Sequence, residues 1–182
     1  MFTRVFTRIV VGLDGSDHAR KALAIAVGVA KNDKADLVLV RALSAGLMSK
    51  AERKLAAAEF GFKDLEPPLP SAMFGDPNAD PRPKSAIARD ETENAQFRAR
   101  TEMVETFLEA ARQEALEAGV ANVEIRVEFG DPAKVILAVA ERDKADLIVL
   151  GSRGLSNIEG LVYGSTSHKV SHLAKCSCVT VT

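Results

Sequence analysis

The chain has 182 residues, of which 47% are hydrophobic and 27% charged, and its net charge is -1. A chain of this length can bury about 70% of its unfolded surface in one domain, so it needs no metal or disulfide to hold a core. The near-neutral balance lacks the basic excess of a general nucleic-acid binder, and we therefore expect no nucleic-acid partner.

The N-terminal residues predict neither a targeting segment nor a membrane span. The apolar run that follows Arg8 is broken by Gly12 and Asp14, unlike a signal-peptide core or a transmembrane helix. We therefore expect a cytoplasmic protein with no membrane partner. Cys176 and Cys178 are alternate residues, which on a strand share a face but lie too far apart to bridge easily, and they are expected to be reduced core thiols.

The first half of the chain begins as strand, helix and strand. The β-branched run Arg8 to Leu13 predicts a strand, and Asp14-Gly15-Ser16 supplies a turn and a helix N-cap. Apolar residues at three- and four-residue spacing predict an amphipathic helix from Asp17 to Lys31. The apolar run from Ala35 to Val40 then predicts a strand that is covered on both faces of a parallel sheet.

After Leu43 this pattern lapses. The spacing allows a short helix from Ser49 to Phe60, but six of the seven prolines lie between Pro67 and Pro83, where they exclude regular structure. We interpret the chain as a single domain, 1–182, with a mobile Pro-rich excursion at about 45–89. The excursion could be a lid, a flap that docks a protein partner, or a tolerated insertion without a specific role.

The second half resumes the alternation of helices and strands. A long helix is predicted from Asp90 to Glu117, and strict alternation from Val123 to Phe129 predicts a strand with one wet face, typical of a sheet edge. The remaining predictions are a helix from Pro132 to about Asp143, a strand at Asp146–Leu150, a helix at Ser165–Ala174 and a strand at Ser177–Thr182. The sequence therefore predicts an α/β fold, an open five-stranded parallel sheet with helices on both faces in a three-layer sandwich.

The loop after the fourth strand is the strongest functional signal. It reads Gly151-Ser-Arg-Gly154, then nine residues, then Gly164-Ser165-Thr166-Ser167. Glycines allow close backbone approach, hydroxyls donate hydrogen bonds, and a helix N-terminus at the end of a parallel strand favours an anion such as phosphate. The loop matches neither the Walker P-loop nor the Gly-x-Gly-x-x-Gly fingerprint. Taken alone, it could also be a flexible loop rich in turn residues.

Two motifs together resemble the universal stress protein family. They are Ile9-Val-Val-Gly-Leu-Asp-Gly-Ser16 and the spacing Gly-x2-Gly-x9-Gly-Ser from Gly151 to Ser165, the family's adenine-nucleotide motif. The resemblance covers about Arg8 to Leu43 and Asp90 to Thr182. It implies the strand order 3-2-1-4-5, in the adenine nucleotide α-hydrolase-like arrangement, which brings the ends of strands 1 and 4 side by side.

The same resemblance implies an ATP site, or a site for AMP or ADP, with Mg²⁺ held through the phosphates. Backbone groups near Gly12, Leu13 and Ala42 would frame the adenine, and Asp14 would meet the ribose or the cation. The ribose would be lined by Leu150 and Gly151, and the phosphates would be held by Arg153, Gly154, Gly164, Ser165, Thr166 and Ser167.

Two of these residues have alternatives. Asp14 could simply make the turn and cap the first helix together with Ser16. The guanidinium of Arg153 could equally lie in solvent. One position departs from the family, since Arg41 stands where relatives often carry histidine, which bears on how adenine packs.

Metal and catalytic sites are not predicted. His168 and His172 lie four apart on a helix with Cys176 and Cys178 beyond, but the strand carries Cys178 away from that helix and no zinc-binding spacing is present. His18 is predicted in a helical first turn without an evident nucleophile partner, so no Ser-His-Asp or Cys-His arrangement is readable.

The sequence therefore favours an ATP-binding regulatory or signalling module of the stress response, without a dedicated catalytic activity. The alternatives are a slow adenine-nucleotide hydrolase on the same fold and a stress adaptor that binds no nucleotide. The terminal strand from Val179 to Thr182 pairs across a two-fold axis in the resembled family, and leaving it unpaired would expose an edge, so we expect a homodimer.

Overall fold

A computed structural model describes most of the chain. The described residues are 5–43, 47–48, 50–63, 65–66, 84–153 and 164–182. The elements in chain order are β1 (Arg8–Gly12), α1 (Asp17–Asp33), β2 (Asp36–Leu43), α2 (Lys50–Phe60), α3 (Lys84–Glu117), β3 (Val123–Phe129), α4 (Pro132–Arg142), β4 (Leu147–Gly151), α5 (Ser165–Leu173) and β5 (Ser177–Val181). They lie close to their predicted positions, except that α3 begins at Lys84 rather than at Asp90.

The strands form a single five-stranded sheet in the order β3-β2-β1-β4-β5. Every pairing is parallel, and Gly12 at the end of β1 lies opposite Val40 of β2 and Leu150 of β4. The predicted fold class and strand order are confirmed. Strands β2 and β4 lie on opposite sides of β1, so the strand order reverses direction at β1. The carboxyl end of β1 is therefore the switch point at which such sheets form a crevice.

Apolar runs on the central strands explain why helices cover both faces. The face that contacts α4 and α5 buries Val10, Val40, Ile148 and Leu150 with Ile136 and Val139 of α4 and Val170 of α5. On the opposite face α1 buries Ala19, Ala22, Leu23, Ala26 and Ala30, a stripe of small side chains that lets the helix approach the sheet closely. The rule that parallel crossovers are right-handed predicts that the C-terminal part of α3 lies on the same face as α1.

Strand β3 is an edge strand with a polar face, as its alternation predicts. Glu124, Arg126 and Glu128 share this face, and each side chain is about one third exposed. Arg126 pairs with Glu124 at 2.5 Å, and Arg142 of α4 pairs with Glu128 at 2.7 Å. The hydrogen bond from Arg126 is the main cause that holds the pKa of Glu124 below its usual value.

The carboxylate of Asp146 fixes the segment before β1 by hydrogen bonds. Asp146 accepts hydrogen bonds from the amide and hydroxyl of Thr7 at 2.8 and 2.7 Å and from the amide of Arg8 at 3.2 Å. Partial burial acts to raise the pKa of Asp146, but these hydrogen bonds outweigh it and hold the pKa below its usual value. The amino edge of the sheet is therefore tied by a carboxylate whose ionised form these hydrogen bonds favour.

Contacts divide the chain into two compact units, one of residues 1–44 with 106–182 and one of residues 45–105. The described part of the second unit contains α2, which confirms the short predicted helix, and the first part of α3. Its core consists of Met48, Ala56, Leu65 and Ala99. The predicted Pro-rich stretch between Pro67 and Pro83 lies outside the described residues. The single-domain organisation stays a prediction.

Gln96 connects the loops of the second unit. Its side chain is 2% exposed, accepts a hydrogen bond from the amide of Met48 at 2.7 Å and donates one to the carbonyl of Leu65 at 2.5 Å. Because both loop groups are buried, they need this partner. The described ends of the excursion are therefore packed by specific contacts.

Candidate functional site

The predicted site residues that the structure describes gather at the carboxyl edge of the sheet. Leu13 follows β1 directly, and its amide donates to the carbonyl of Val40 at 2.9 Å. Arg41 of β2 donates from its guanidinium to the carbonyl of Leu13 at 3.2 Å. Both backbone groups of Leu13 are thus fixed from β2, which positions the turn that follows.

The turn from Asp14 to Ser16 joins the two motifs. One carboxylate oxygen of Asp14 accepts from the amide of Ser16 at 2.9 Å, and Gly15 has φ +86, which favours glycine. The Ser16 hydroxyl caps α1 by accepting from the amide of Ala19 at 3.2 Å, and it donates to the carbonyl of Arg153 at 3.2 Å. Asp14 therefore has the structural role in the turn that the sequence left open, while Ser16 ties the β1 motif to the glycine loop.

Ser152 is the residue through which the glycine loop is closed. Its amide donates to the carbonyl of Val181 in β5 at 2.6 Å, and its carbonyl accepts from the amide of Gly164 at 2.6 Å and from the hydroxyl of Ser167 at 3.1 Å. These bonds join the residues that precede the loop to those that follow it. Gly154, the second glycine of the motif, lies outside the described residues.

Gly164 is needed for close approach rather than for an unusual backbone conformation. Its φ of -72 and ψ of 154 are open to any residue, but an added Cβ would lie 3.1 Å from the carbonyl oxygen of Ser152. It is the N-cap of α5 and makes no side-chain capping bond. The first turn of a helix has N–H groups without intrahelical partners, so α5 presents donors and the positive end of its dipole here.

The side chains of the three hydroxyl residues after Gly164 differ in their exposure to solvent. Ser165 is exposed and Thr166 half-buried, whereas Ser167 is 2% exposed and donates to the carbonyls of Ser152 and Gly164. Ser165 and Thr166 can therefore meet a ligand. Ser167 instead holds the first turn of α5 against the loop base.

Gly151 is also explained by packing inside the protein. A Cβ at this position would lie 2.7 Å from the carbonyl carbon of His18 and 2.8 Å from the amide nitrogen of Ala19. Leu150 before it is 3% exposed and belongs to the core. This glycine therefore lets α1 approach β4, a role that its place in the motif did not indicate.

Two further predicted residues, Ala42 and Arg153, and the helix cap Asp131 lie around this edge. Ala42 is half-buried and packs beside the core under α4, and Arg153 is half-buried with its carbonyl bonded to Ser16. Asp131 caps α4 by accepting from the amide of Lys134 at 3.1 Å and pairs with Lys169 of α5 at 3.3 Å. The hydrogen bond from the Lys134 amide, followed by that from Lys169, lowers the pKa of Asp131.

Sequence reasoning missed the partner of His18. The ring nitrogen Nδ1 lies 2.9 Å from the hydroxyl oxygen of Ser152. Both residues follow a central strand closely, His18 after β1 and Ser152 after β4, so the strand order was the signal that could have paired them. Ser152 has no exposed surface, and a nucleophile must reach its substrate, so the pair is not a catalytic dyad.

The described residues contain no group of three or more His, Cys, Asp or Glu that could hold a metal ion. His168 and His172 are exposed on α5, and burial raises the pKa of both Cys176 and Cys178, which keeps them as thiols. Among those same residues, no helix is long and apolar enough to cross a membrane.

Comparisons with known proteins identify the family of the chain. The family model described as the universal stress protein family matches residues 6–66 and 67–182. Universal stress protein YxiE of Bacillus subtilis is 30% identical over 177 residues, which cover 97% of this chain and 99% of that protein. The structure of universal stress protein UspA from Lactobacillus plantarum superposes with a TM-score of 0.67 over all of both chains at 19% identity.

A solved universal stress protein in complex with cAMP is 26% identical, has a TM-score of 0.59 and covers 97% of each chain. The family match extends over nearly the whole sequence and includes both motifs that meet at the carboxyl edge. The chain belongs to the universal stress protein family.

Proposed function

We propose that this protein binds an adenine nucleotide, ATP in the first place, at the carboxyl edge of β1 and β4, and that the bound nucleotide regulates it as a stress-response module. The observation that carries the proposal is the closure of the glycine loop. The amide of Gly164 bonds to the carbonyl of Ser152, and the carbonyl of Arg153 accepts from Ser16. Motif residues that are distant in sequence therefore lie together at the carboxyl edge of the sheet.

The phosphates bind at the N-terminus of α5 in this proposal. Helix N-termini favour anions because they combine unpaired N–H groups with the positive end of the dipole. Gly164 leaves room for close approach, and the exposed or half-buried hydroxyls of Ser165 and Thr166 add donors. Arg153 and Gly154 complete the phosphate site, while Ser167 supports it from inside.

The adenosine half lies toward β1 and β2. Backbone groups near Gly12, Leu13 and Ala42 frame the adenine, and the ribose lies by Leu150 and Gly151. One oxygen of Asp14 is used in the turn. The other oxygen meets the ribose or a phosphate-bound Mg²⁺. A single carboxylate fits Mg²⁺, because this ion keeps several waters and is commonly bound by one or two carboxylates together with phosphates.

The comparisons favour adenine over other bases. The 26% identical relative was solved in complex with cAMP, an adenine nucleotide. If the protein were an adaptor that binds no nucleotide, the close approach of Gly164 to the Ser152 carbonyl would serve packing alone. The hydrolase alternative gains no nucleophile from the His18–Ser152 pair, since Ser152 is buried. ATP turnover by the pure protein should accordingly be slow.

Calorimetric titration with ATP, ADP and AMP tests the proposal. We expect ATP to bind, and Gly164→Val to abolish binding because its side chain would enter the space beside the Ser152 carbonyl. Gly28→Val is the matched control, since a Cβ at the exposed Gly28 meets nothing within 4 Å. Undiminished ATP affinity in Gly164→Val would remove the phosphate role of this helix end.

We also propose a homodimer through β5. This strand is the last in the sheet and pairs with β4 on one side, and its Val179 is 40% exposed. An unpaired edge favours association with a second strand. Light scattering that reports a monomer throughout the micromolar range would refute this assembly.

A further inference from the structure

The His18–Ser152 contact lies at the base of the glycine loop. The Nδ1 atom of His18 and the hydroxyl oxygen of Ser152 are 2.9 Å apart, and in either tautomer one of them donates to the other. Ser152 is fully buried and His18 half-buried. A hydroxyl without access to water depends on a protein partner, so this bond fixes the side chain of Ser152.

Ser152 transmits that constraint to α5. Its backbone is bonded to Val181 in β5, to Gly164 at the start of α5 and to the hydroxyl of Ser167. A rotation of the Ser152 peptide would move the acceptor of both α5 bonds at once. The side chain of Ser152 is the only part of this residue that α1 holds by a hydrogen bond among the described contacts.

The position of His18 is itself fixed. The absent side chain of Gly151 leaves the backbone of His18 in close contact with β4, because a Cβ there would lie 2.7 to 2.9 Å from His18 and Ala19 atoms. Ser16 further binds the same end of α1 to the carbonyl of Arg153 at 3.2 Å. The first turn of α1 is therefore a rigid support beside the loop.

We propose that His18 is a positioning residue for phosphate binding, which acts through Ser152 to hold the first turn of α5 in the orientation that receives the phosphates. His18 itself touches no ligand in this proposal, and the effect of the residue is to hold the Ser152 carbonyl that orients Gly164 and Ser167. The proposal rests on the proposed nucleotide function for its ligand, but its structural part is independent of any ligand.

The ligand-free protein tests the structural part. Hydrogen exchange measured by NMR should show the Gly164 amide exchanging roughly tenfold faster in His18→Leu than in the unaltered protein, since one ordinary hydrogen bond supports about this factor. His172→Leu is the matched control, because His172 is an exposed histidine on α5, and it should leave the exchange of Gly164 unchanged. Equal protection of Gly164 in both variants would overturn the proposal.

Nucleotide titration tests the functional part. We expect His18→Leu to bind ATP roughly tenfold more weakly and to keep its affinity for adenosine, because the bond acts on the phosphate end. His18→Asn should restore ATP affinity, since its amide can reach the same hydroxyl. Equal losses for ATP and adenosine, or an Asn variant as weak as Leu, would show a general packing effect and overturn the assignment.

A double-mutant cycle with Ser152→Ala provides a second route if His18→Leu is poorly folded by its thermal midpoint. When two residues act through one contact, the double variant should lose no more ATP affinity than the worse single variant. Additive losses would overturn the proposal. If the unaltered protein binds no nucleotide, the proposed function fails, while the exchange of Gly164 still decides whether His18 positions α5.

Discussion

Gly151→Ala is expected to destabilise the protein although it adds only one methyl group. The new Cβ would lie 2.7 Å from the carbonyl carbon of His18 and 2.8 Å from the amide nitrogen of Ala19. Atoms of bonded backbone cannot rotate away as a side-chain end can, so α1 must shift from β4. Overpacking of this kind costs about 1–3 kcal/mol. In a protein of this size, that corresponds to a fall in melting temperature of roughly 2–12 °C.

Gly28→Ala is the matched control with the opposite expected sign. Gly28 is an exposed residue within α1, its φ is not positive, and a Cβ there meets nothing within 4 Å. Replacing a helical glycine by alanine stabilises by about 0.5–1 kcal/mol. The two variants therefore make the same chemical change with opposite outcomes.

Urea unfolding followed by circular dichroism measures both free energies of unfolding. We expect a lower midpoint for Gly151→Ala and a higher one for Gly28→Ala, with similar slopes. A Gly151→Ala protein as stable as the original would refute the close packing of α1 on β4. Such a result would return Gly151 to the role that the motif alone suggested, a glycine required for its ligand.

Three further outcomes are expected. The folded-state pKa of Asp146 is lowered, so its contribution to stability is complete above about pH 4 and is lost as pH falls through that lowered pKa. Asp146→Asn should therefore reduce the loss of stability at acid pH, measured by unfolding at pH 2–7. An unaltered pH profile would contradict the role of its bonds to Thr7. Gln96→Leu leaves two buried backbone groups unpaired at about 1–3 kcal/mol each, so limited proteolysis should cut residues 47–66 faster, and unchanged cleavage would refute the bridging role. Val179→Asp should shift the proposed dimer toward monomer in light scattering, by placing charges at the paired edge; an undiminished dimer would place the interface elsewhere.

Local patterns were sufficient to predict the helices and strands, whereas the strand order was implied by the family resemblance. The apolar runs of β1 and β2, the alternation of β3 and the apolar spacing of α1 are each local patterns, and such patterns decide helix or strand without distant contacts. Capping chemistry at Ser16 marked the start of α1, and its side chain makes the expected bond. The start of α3 was placed too late because proline density nearby obscured the helical spacing before Asp90.

The candidate site was predicted as a set of residue types rather than as contacts. The spacing from Gly151 to Ser165, read through the family resemblance, located the region. It assigned Gly151 and Ser167 to a ligand, and these roles stay predictions; the structure adds that Gly151 packs against α1 and that the Ser167 hydroxyl is bonded to the carbonyl of Ser152. Glycine and serine are equally compatible with contact to a ligand and with contacts inside the protein. The sequence shows that a residue is small or can donate a hydrogen bond, but it does not show which group the residue contacts.

The order of helices and strands, the family and the position of an anion-ready loop are properties of short segments, so the amino-acid sequence was enough to establish or predict them. Three features depend on the tertiary structure: the partner of His18, the closure of the loop on Ser152 and the close packing at Gly151. In two of them, His18 with Ser152 and Gly151 with α1, the residues in contact are more than a hundred positions apart in the sequence. Such contacts exist only after β1 and β4 have paired, because pairing brings their carboxyl ends together. The glycine loop is therefore a local motif whose described base, at Gly151 to Arg153, is also held by contacts from the far end of the chain.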